Sequence, residues 1–206
     1  MIFEGETDFI YLREALRALA ANFPTLVSTN PVGSSLNLKL HRNTPIFKEL
    51  FGLKGGSDNL KKFVLTYRDS YKKIDGPKGA NPIIVVTDHD SGFAELKNLI
   101  SGKKFGVSIA QGAQFFHVTG NLYVILTCPF QPGKDHCIEQ CFDAATLGTL
   151  LGGKKFNWKE KIDPQSEYGK AWFAEKVIAA DAANVDFSGF QSMLDAFKNL
   201  LAAYKA

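Results

Sequence analysis

The residues with the most chemical potential are Asp88 and Asp90, which close the run Asn81-Pro-Ile-Ile-Val-Val-Thr-Asp-His-Asp-Ser-Gly92. The unbroken apolar stretch from Ile83 to Val86 predicts a buried strand that leads straight into two carboxylates. Side chains alternate along a strand, so residues two apart share a face. Asp88 and Asp90 therefore aim at one point past the strand's C-terminal edge, where ligands bind in open α/β sheets. Two carboxylates held that close repel unless a cation lies between them. Oxygen-only ligands favour a hard ion such as Mg²⁺. His89 has the opposite parity and is expected to face away, into packing.

A second acidic group stands near the N-terminus. Ile2-Phe-Glu-Gly-Glu-Thr-Asp-Phe-Ile-Tyr-Leu12 reads as a strand over about 2–4, a tight turn at Gly5 and a helix from about 7 to 21. Glu4 would close the strand, and Asp8 would lie in the first helical turn. A carboxylate there interacts favourably with the helix dipole and can cap the helix, so Asp8 is either a cap or a ligand. Glu4 alone would be an ordinary surface carboxylate. The combination carries more weight: a strand ending in Glu-Gly-x-x-Asp, then an apolar strand ending in Asp-x-Asp.

That combination, with Tyr11-Leu12 following, resembles the TOPRIM domain shared by topoisomerases, bacterial primases and OLD-family nucleases, and its Glu-Gly-x-x-Asp-x-x-Tyr form is closest to the nuclease branch. Asn121-Leu-Tyr-Val124, Ile138-Glu139, Phe156-Asn157, Glu167-Tyr-Gly-Lys-Ala-Trp-Phe-Ala174 and Asp186-Phe-Ser-Gly-Phe190 are similar to the C-terminal extension of certain retron reverse transcriptases. The first resemblance covers about residues 1–130, and the second spans most of the chain. Together they imply a TOPRIM-like, Rossmann-like α/β core over 1–130 and a mainly helical extension over 131–206 packed on it. They also imply metal-dependent cleavage of DNA, or of an RNA–DNA hybrid, with an upstream reverse transcriptase and its retron nucleic acid as partners and anti-phage defence as the role.

Phosphodiester cleavage suits Mg²⁺ or Mn²⁺, which polarises the phosphoryl oxygen and activates water, and two ions about 4 Å apart would serve both the attacking and leaving oxygens. Glu4, Asp88 and Asp90 would form one ligand set, and Asp8 with Glu139 a second. The resemblance implies the acidic role of Glu139, a general acid–base role for Glu4, and a transition-state role for Lys170 at a helix start. Three other readings stay open: a topoisomerase with its tyrosine elsewhere, a primase, and a non-catalytic module binding nucleic acid or a protein partner.

Composition is that of a globular chain. With 206 residues, 45% of them hydrophobic, it is long enough to bury a core. No apolar run nears the ~18 residues of a membrane span, and no secretory signal is present, which makes the cytoplasm the expectation. Only Met1 to Phe3 precede Glu4, so the first strand reads as cut short and the chain as a fragment of a longer protein. The net charge of +3 does not announce nucleic-acid binding by itself. The lysines do pair, at Lys61-Lys62, Lys72-Lys73, Lys103-Lys104 and Lys154-Lys155. Lys103, Lys104, Lys154 and Lys155 are candidate phosphate contacts if they surround the acidic site. Trp158 and Trp172 could stack on bases, but no pattern distinguishes them. Cys128, Cys137 and Cys141, with His136, lack the paired knuckles of a zinc site and read as small hydrophobes.

The remaining pattern alternates strands and helices. Leu26-Val27 reads as a strand, Ser28 to Ser35 as a loop, Ile46 to Leu50 as a helix or turn, and Gly55-Gly-Ser-Asp58 as the start of a helix to 71. After the Asp-x-Asp strand come a helix over 93–100, a hairpin about Thr119-Gly120, and helices over 137–150, 167–180 and 190–204. Such alternation predicts an α/β sheet with helices on both faces.

Overall fold

The apolar runs read as strands do form one sheet. A computed structural model of the chain describes residues 1–42, 44, 45, 49, 57–74, 79–159 and 161–205. Strands β1 (Ile2–Phe3), β4 (Ile83–Thr87), β5 (Phe115–Thr119) and β6 (Leu122–Leu126) make a four-stranded sheet in the order β1-β4-β6-β5. β1 and β6 both pair parallel with β4, and β5 closes the sheet antiparallel to β6. The parallel register sets Phe3 beside Val86. The C-terminal ends of β1 and β4 therefore lie side by side, and each is followed by the acidic residues singled out above.

Alternation along β4 divides the core in two. Ile84 and Val86 join Phe3 and Ile125 on one face, against α1 (Asp8–Ala18) and the C-terminal helices. Val85 joins Ile2, Val124 and Leu126 on the other, against α2 (Ser57–Tyr71) and α3 (Ser91–Ser101). Both faces are thus covered by helices, as the pattern predicts, and the near-continuous apolar run of β4 follows from burial on both sides.

The C-terminal third shares the first of these cores. Phe173, Phe190, Leu194 and Phe197 are fully buried in the same cluster as Phe3 and Tyr11. Its elements differ from the three continuous helices expected. In place of a helix over 137–150 there is a 3₁₀ turn (Ile138–Cys141), then the one-turn helix α4 (Ala144–Leu147). The break falls at Phe142 and Asp143, whose extended backbones let Asp143 accept from Thr146 N and cap the new turn. Glu167-Tyr168 is a strand, β8, paired parallel with β7 (Lys155–Phe156). A helix then starts as α5 (Lys170–Trp172) and continues as a π-helical stretch, Phe173–Ile178. The last helix, α6 (Gln191–Lys205), forms as expected.

Another difference lies near the N-terminus. Ser28 to Ser35, expected as a loop, is most of a β-hairpin, β2 (Val27–Asn30) with β3 (Gly33–Leu36). Its residues are largely exposed and polar, so no apolar alternation marks them, and the Asn30-to-Gly33 turn signals were those of a hairpin. The turn expected at Ile46 to Leu50 falls mostly, and the Gly55-Gly56 opening wholly, outside the described residues. Among the described residues no helix is long and apolar enough to cross a membrane.

Gly120 turns the β5–β6 hairpin with φ of 57°, and a Cβ there would sit 2.6 Å from the Tyr71 ring. That ring is stacked on Tyr67 at 5.8 Å, so it has little room to yield. Gly120→Ala is expected to cost at least about 2 kcal/mol, from the left-handed backbone and the clash together. A urea-melt midpoint unchanged from the wild type would contradict this.

Candidate active site

Glu4 follows β1, and its amide donates to Val86 O at 3.2 Å, extending the parallel ladder by one bond. Its side chain is fixed by Thr87, whose hydroxyl donates to Glu4 Oε2 at 2.6 Å. Gly5 then allows a sharp approach. Its amide donates to Asp8 Oδ2 at 2.9 Å, and a Cβ at this position would lie 2.5 Å from Asp8 Oδ1. The glycine of the Glu-Gly-x-x-Asp motif therefore leaves the space that the Asp8 carboxylate occupies. Asp8 is the first residue of α1 and is buried, and its carboxylate holds the turn before the helix while Thr7 occupies the cap position.

Asp88 and Asp90 follow β4. Asp88 has the parity of Ile84 and Val86 and accepts from Ile138 N at 2.9 Å, which ties the 3₁₀ turn to the end of the strand. Asp90 caps α3, accepting from Phe93 N at 3.1 Å. Between them, His89 turns to the other face and packs its ring on Phe93 and Phe130, as its parity predicts.

Glu139 is wholly buried in the 3₁₀ turn. Lys170, at the start of α5, reaches it with Nζ 3.0 Å from Oε1 and 3.2 Å from Oε2. Only the Oε2 contact has hydrogen-bond geometry, and Oε1 is left buried with no hydrogen-bond partner. The Lys170 backbone is itself anchored, because the buried Tyr11 hydroxyl donates to its carbonyl at 3.5 Å. Tyr11 packs edge-on against Phe142 and Phe173, so the tyrosine of the N-terminal motif positions a lysine 159 residues away.

Electrostatics show that these groups form one cluster. Burial pushes the Asp88 carboxyl well above the usual range, and repulsion from Asp8, Glu139 and Glu4 adds to it. Burial likewise raises Asp8 to about 6, with Glu139 and Glu4 adding and the Gly5 amide and Lys170 opposing. Glu4 is raised by burial and by Asp90, against the Thr87 hydrogen bond. For Lys170, burial disfavours the charge, but Glu139 and Asp88 outweigh it and the ammonium is held above its ordinary value. Glu4, Asp8, Asp88 and Glu139 thus gather around Lys170, whereas Asp90, turned to cap α3, bears only on Glu4 at the edge of the cluster.

The donor set suits a hard divalent ion. It is all oxygen and carries excess negative charge, and Glu139 Oε1 is a buried acceptor that Lys170 meets as an ion pair without a hydrogen bond. Each hydrogen bond to Glu4, Asp8, Asp88 and Asp90 engages one oxygen and fixes the carboxylate that carries it. Among the described residues, no three His, Cys, Asp or Glu side chains already stand as an ion-holding group. Binding would therefore draw the carboxylates inward and favour their ionised forms.

The lysine pairs are less convergent. Lys103 and Lys104 are exposed and follow α3, whose other end is capped by Asp90. The eleven-residue helix separates them from the carboxylates by about 16 Å. They are not brought to the site, and Lys104 O instead accepts from Arg68. Lys154 donates to Pro164 O, while Lys155 is exposed on β7. Burial pushes the Cys137 and Cys141 thiols up to about 12, in keeping with small hydrophobes. Thr87 and Tyr11 were the positioning residues that the motif reading did not assign. Thr87 had one signal, a lone hydroxyl ending an apolar strand.

No protein-family model matches the chain, and no solved structure matches it.

Two predictions follow from this geometry. Gly5→Ala should displace Asp8 and abolish measurable Mn²⁺ binding in calorimetry while the circular dichroism spectrum is kept; undiminished binding would refute the steric role. The second concerns pH. Asp8 titrates near 6 when folded, against an ordinary 3.8, so the folded state holds this proton more tightly. Without divalent ions, this carboxyl's unfavourable contribution is absent below about pH 4 and grows as pH rises through about 6. Asp8→Asn should remove that loss, and urea melts from pH 4 to 7 should show the variant gaining on the wild type as pH rises.

Proposed function

We propose that this chain is a metal-dependent phosphodiesterase of TOPRIM type that nicks or cuts DNA. One observation carries the reading: Glu4, Asp8, Asp88 and Glu139 gather around Lys170 at the adjoining C-terminal ends of β1 and β4, with Asp90 beside Glu4. A surface that only bound phosphates would gain nothing from buried carboxylates, which repel them.

Bound Mg²⁺ or Mn²⁺ would polarise the scissile phosphate and lower the pKa of a water. Asp88 and Asp90, oriented by backbone amides, and Asp8 and Glu139 are the residues that would hold ions. Glu4, with its pKa raised by burial, is suited to take the proton from the attacking water. As the water oxygen bonds to phosphorus and the P–O bond to the leaving group breaks, the Lys170 ammonium can offset the charge developing on the phosphoryl oxygens. In this reading the domain follows a retron reverse transcriptase and acts as its effector in anti-phage defence, on DNA or an RNA–DNA hybrid.

A second reading, a nucleic-acid or partner-binding module without turnover, is favoured by the Lys170–Glu139 ion pair, which neutralises the most buried carboxylate without any metal. One experiment separates the two. Supercoiled plasmid incubated with the protein and Mg²⁺ or Mn²⁺ should be nicked, and Asp88→Ala/Asp90→Ala should lower the rate at least about a hundredfold. Plasmid left intact by a folded wild-type protein would favour the binding module.

A further inference from the structure

Beyond the carboxylates, the segment Lys154-Lys-Phe-Asn-Trp-Lys159, with Lys161 close behind, interleaves cations and aromatics. It forms β7 and the loop after it, beside β8 and α5. Here the structure holds an open cleft of about 750 Å³, lined by Leu151, Ile162, Pro164, Tyr168, Trp172 and Lys176, among others. That size is in the range of small-molecule sites, roughly 300–1,000 Å³.

The cleft is rigidly walled. Glu167 Oε2 accepts from Asn157 Nδ2 and from Asp163 N, both at 2.8 Å. Asp163 accepts from Ser166 Oγ and Gln165 N, and Lys154 reaches across to Pro164 O. These bonds tie down the loop that carries Ile162, and they engage both Asp163 and Glu167 internally. Among the aromatics, Phe156 is stacked face to face on Phe173 at 3.9 Å, and the Tyr168 hydroxyl donates to Thr149 O. Trp172 differs. It is 61% exposed and makes no ring contact among the described residues. Gly169, which also lines the cleft, directly precedes Lys170.

We propose that this cleft receives one unpaired base of a single-stranded nucleic acid, stacked on Trp172, with the flanking phosphates met by Lys176 in the cleft and by the exposed Lys155, Lys159 and Lys161 of the adjoining segment. The occupant follows from complementarity. An apolar slot with an open indole suits a base face, and Lys176 in it, with the exposed lysines of the adjoining segment, suits the backbone that a base must bring with it. A free apolar molecule would leave those lysines without a role. The proposal deepens the nuclease reading and rests on it for the identity of the ligand: Trp172 and Lys170 stand on the same short helix, α5, and the cleft would favour a single-stranded or locally opened substrate.

The test reads binding without turnover. In EDTA, with Trp158→Phe leaving Trp172 as the reporter, a fluorescein-free oligothymidylate of about a dozen nucleotides should quench tryptophan emission saturably. Trp172→Ala should weaken binding of the labelled oligomer about tenfold by anisotropy. Absent quenching, or equal affinity in Trp172→Ala, overturns the proposal. So does a wild-type dimer in sedimentation that Trp172→Ala makes monomeric, since the cleft would then be a contact between copies. Tight Trp172-dependent binding with no plasmid cleavage would support the cleft and sink the nuclease reading; cleavage with no such binding would do the reverse.

Discussion

Everything in this protein is arranged around a problem of like charge. Four carboxylates interact in one partly dehydrated place, and a single lysine stands among them. Removing an ionised carboxylate from water is costly unless it is paired or protonated. The fold meets that cost with backbone amides from Gly5, Phe93 and Ile138 and with the Thr87 hydroxyl, while burial raises the pKa of Asp8, Asp88 and Glu4. A cation held among these groups would relieve repulsion that the chain alone can only moderate.

The supports for this cluster are mostly not charged. β1 is only two residues long, yet its parallel pairing with β4 sets Glu4 beside Thr87. The close approach of Asp8 needs a residue without Cβ at position 5. Tyr11, Phe142 and Phe173 form an aromatic wedge under the lysine, and Tyr11 adds a hydrogen bond to its backbone. Precise placement of the polar groups thus depends on close packing of the apolar ones beneath them.

Much of this was legible in the residues because it was written in local patterns. The apolar run before Asp88 marked the central strand, strand parity sent His89 away from Asp88, and the glycine at position 5 marked the turn. What escaped was nonlocal or weakly patterned. The hairpin of Val27 to Leu36 is exposed and polar, so hydrophobic alternation gave no signal. The helix expected over 137–150 breaks because Asp143 finds Thr146 N and Asp88 draws in Ile138 N. Its helical spacing was real, but tertiary bonds overrode it. Lysine pairs could be counted but not located, and helix length alone decided that Lys103 and Lys104 stand far from Asp90.

The hydrogen bonds that assemble the cluster span the chain very unevenly. Thr87 meets Glu4 across 83 residues, Ile138 meets Asp88 across 50, and Tyr11 meets Lys170 across 159. Contacts of such long range form late, after the intervening loops have closed. During synthesis the Glu4-to-Asp8 motif emerges long before Lys170 and must wait for its lysine. A nascent or truncated chain ending before residue 170 therefore carries the carboxylates without their counter-charge.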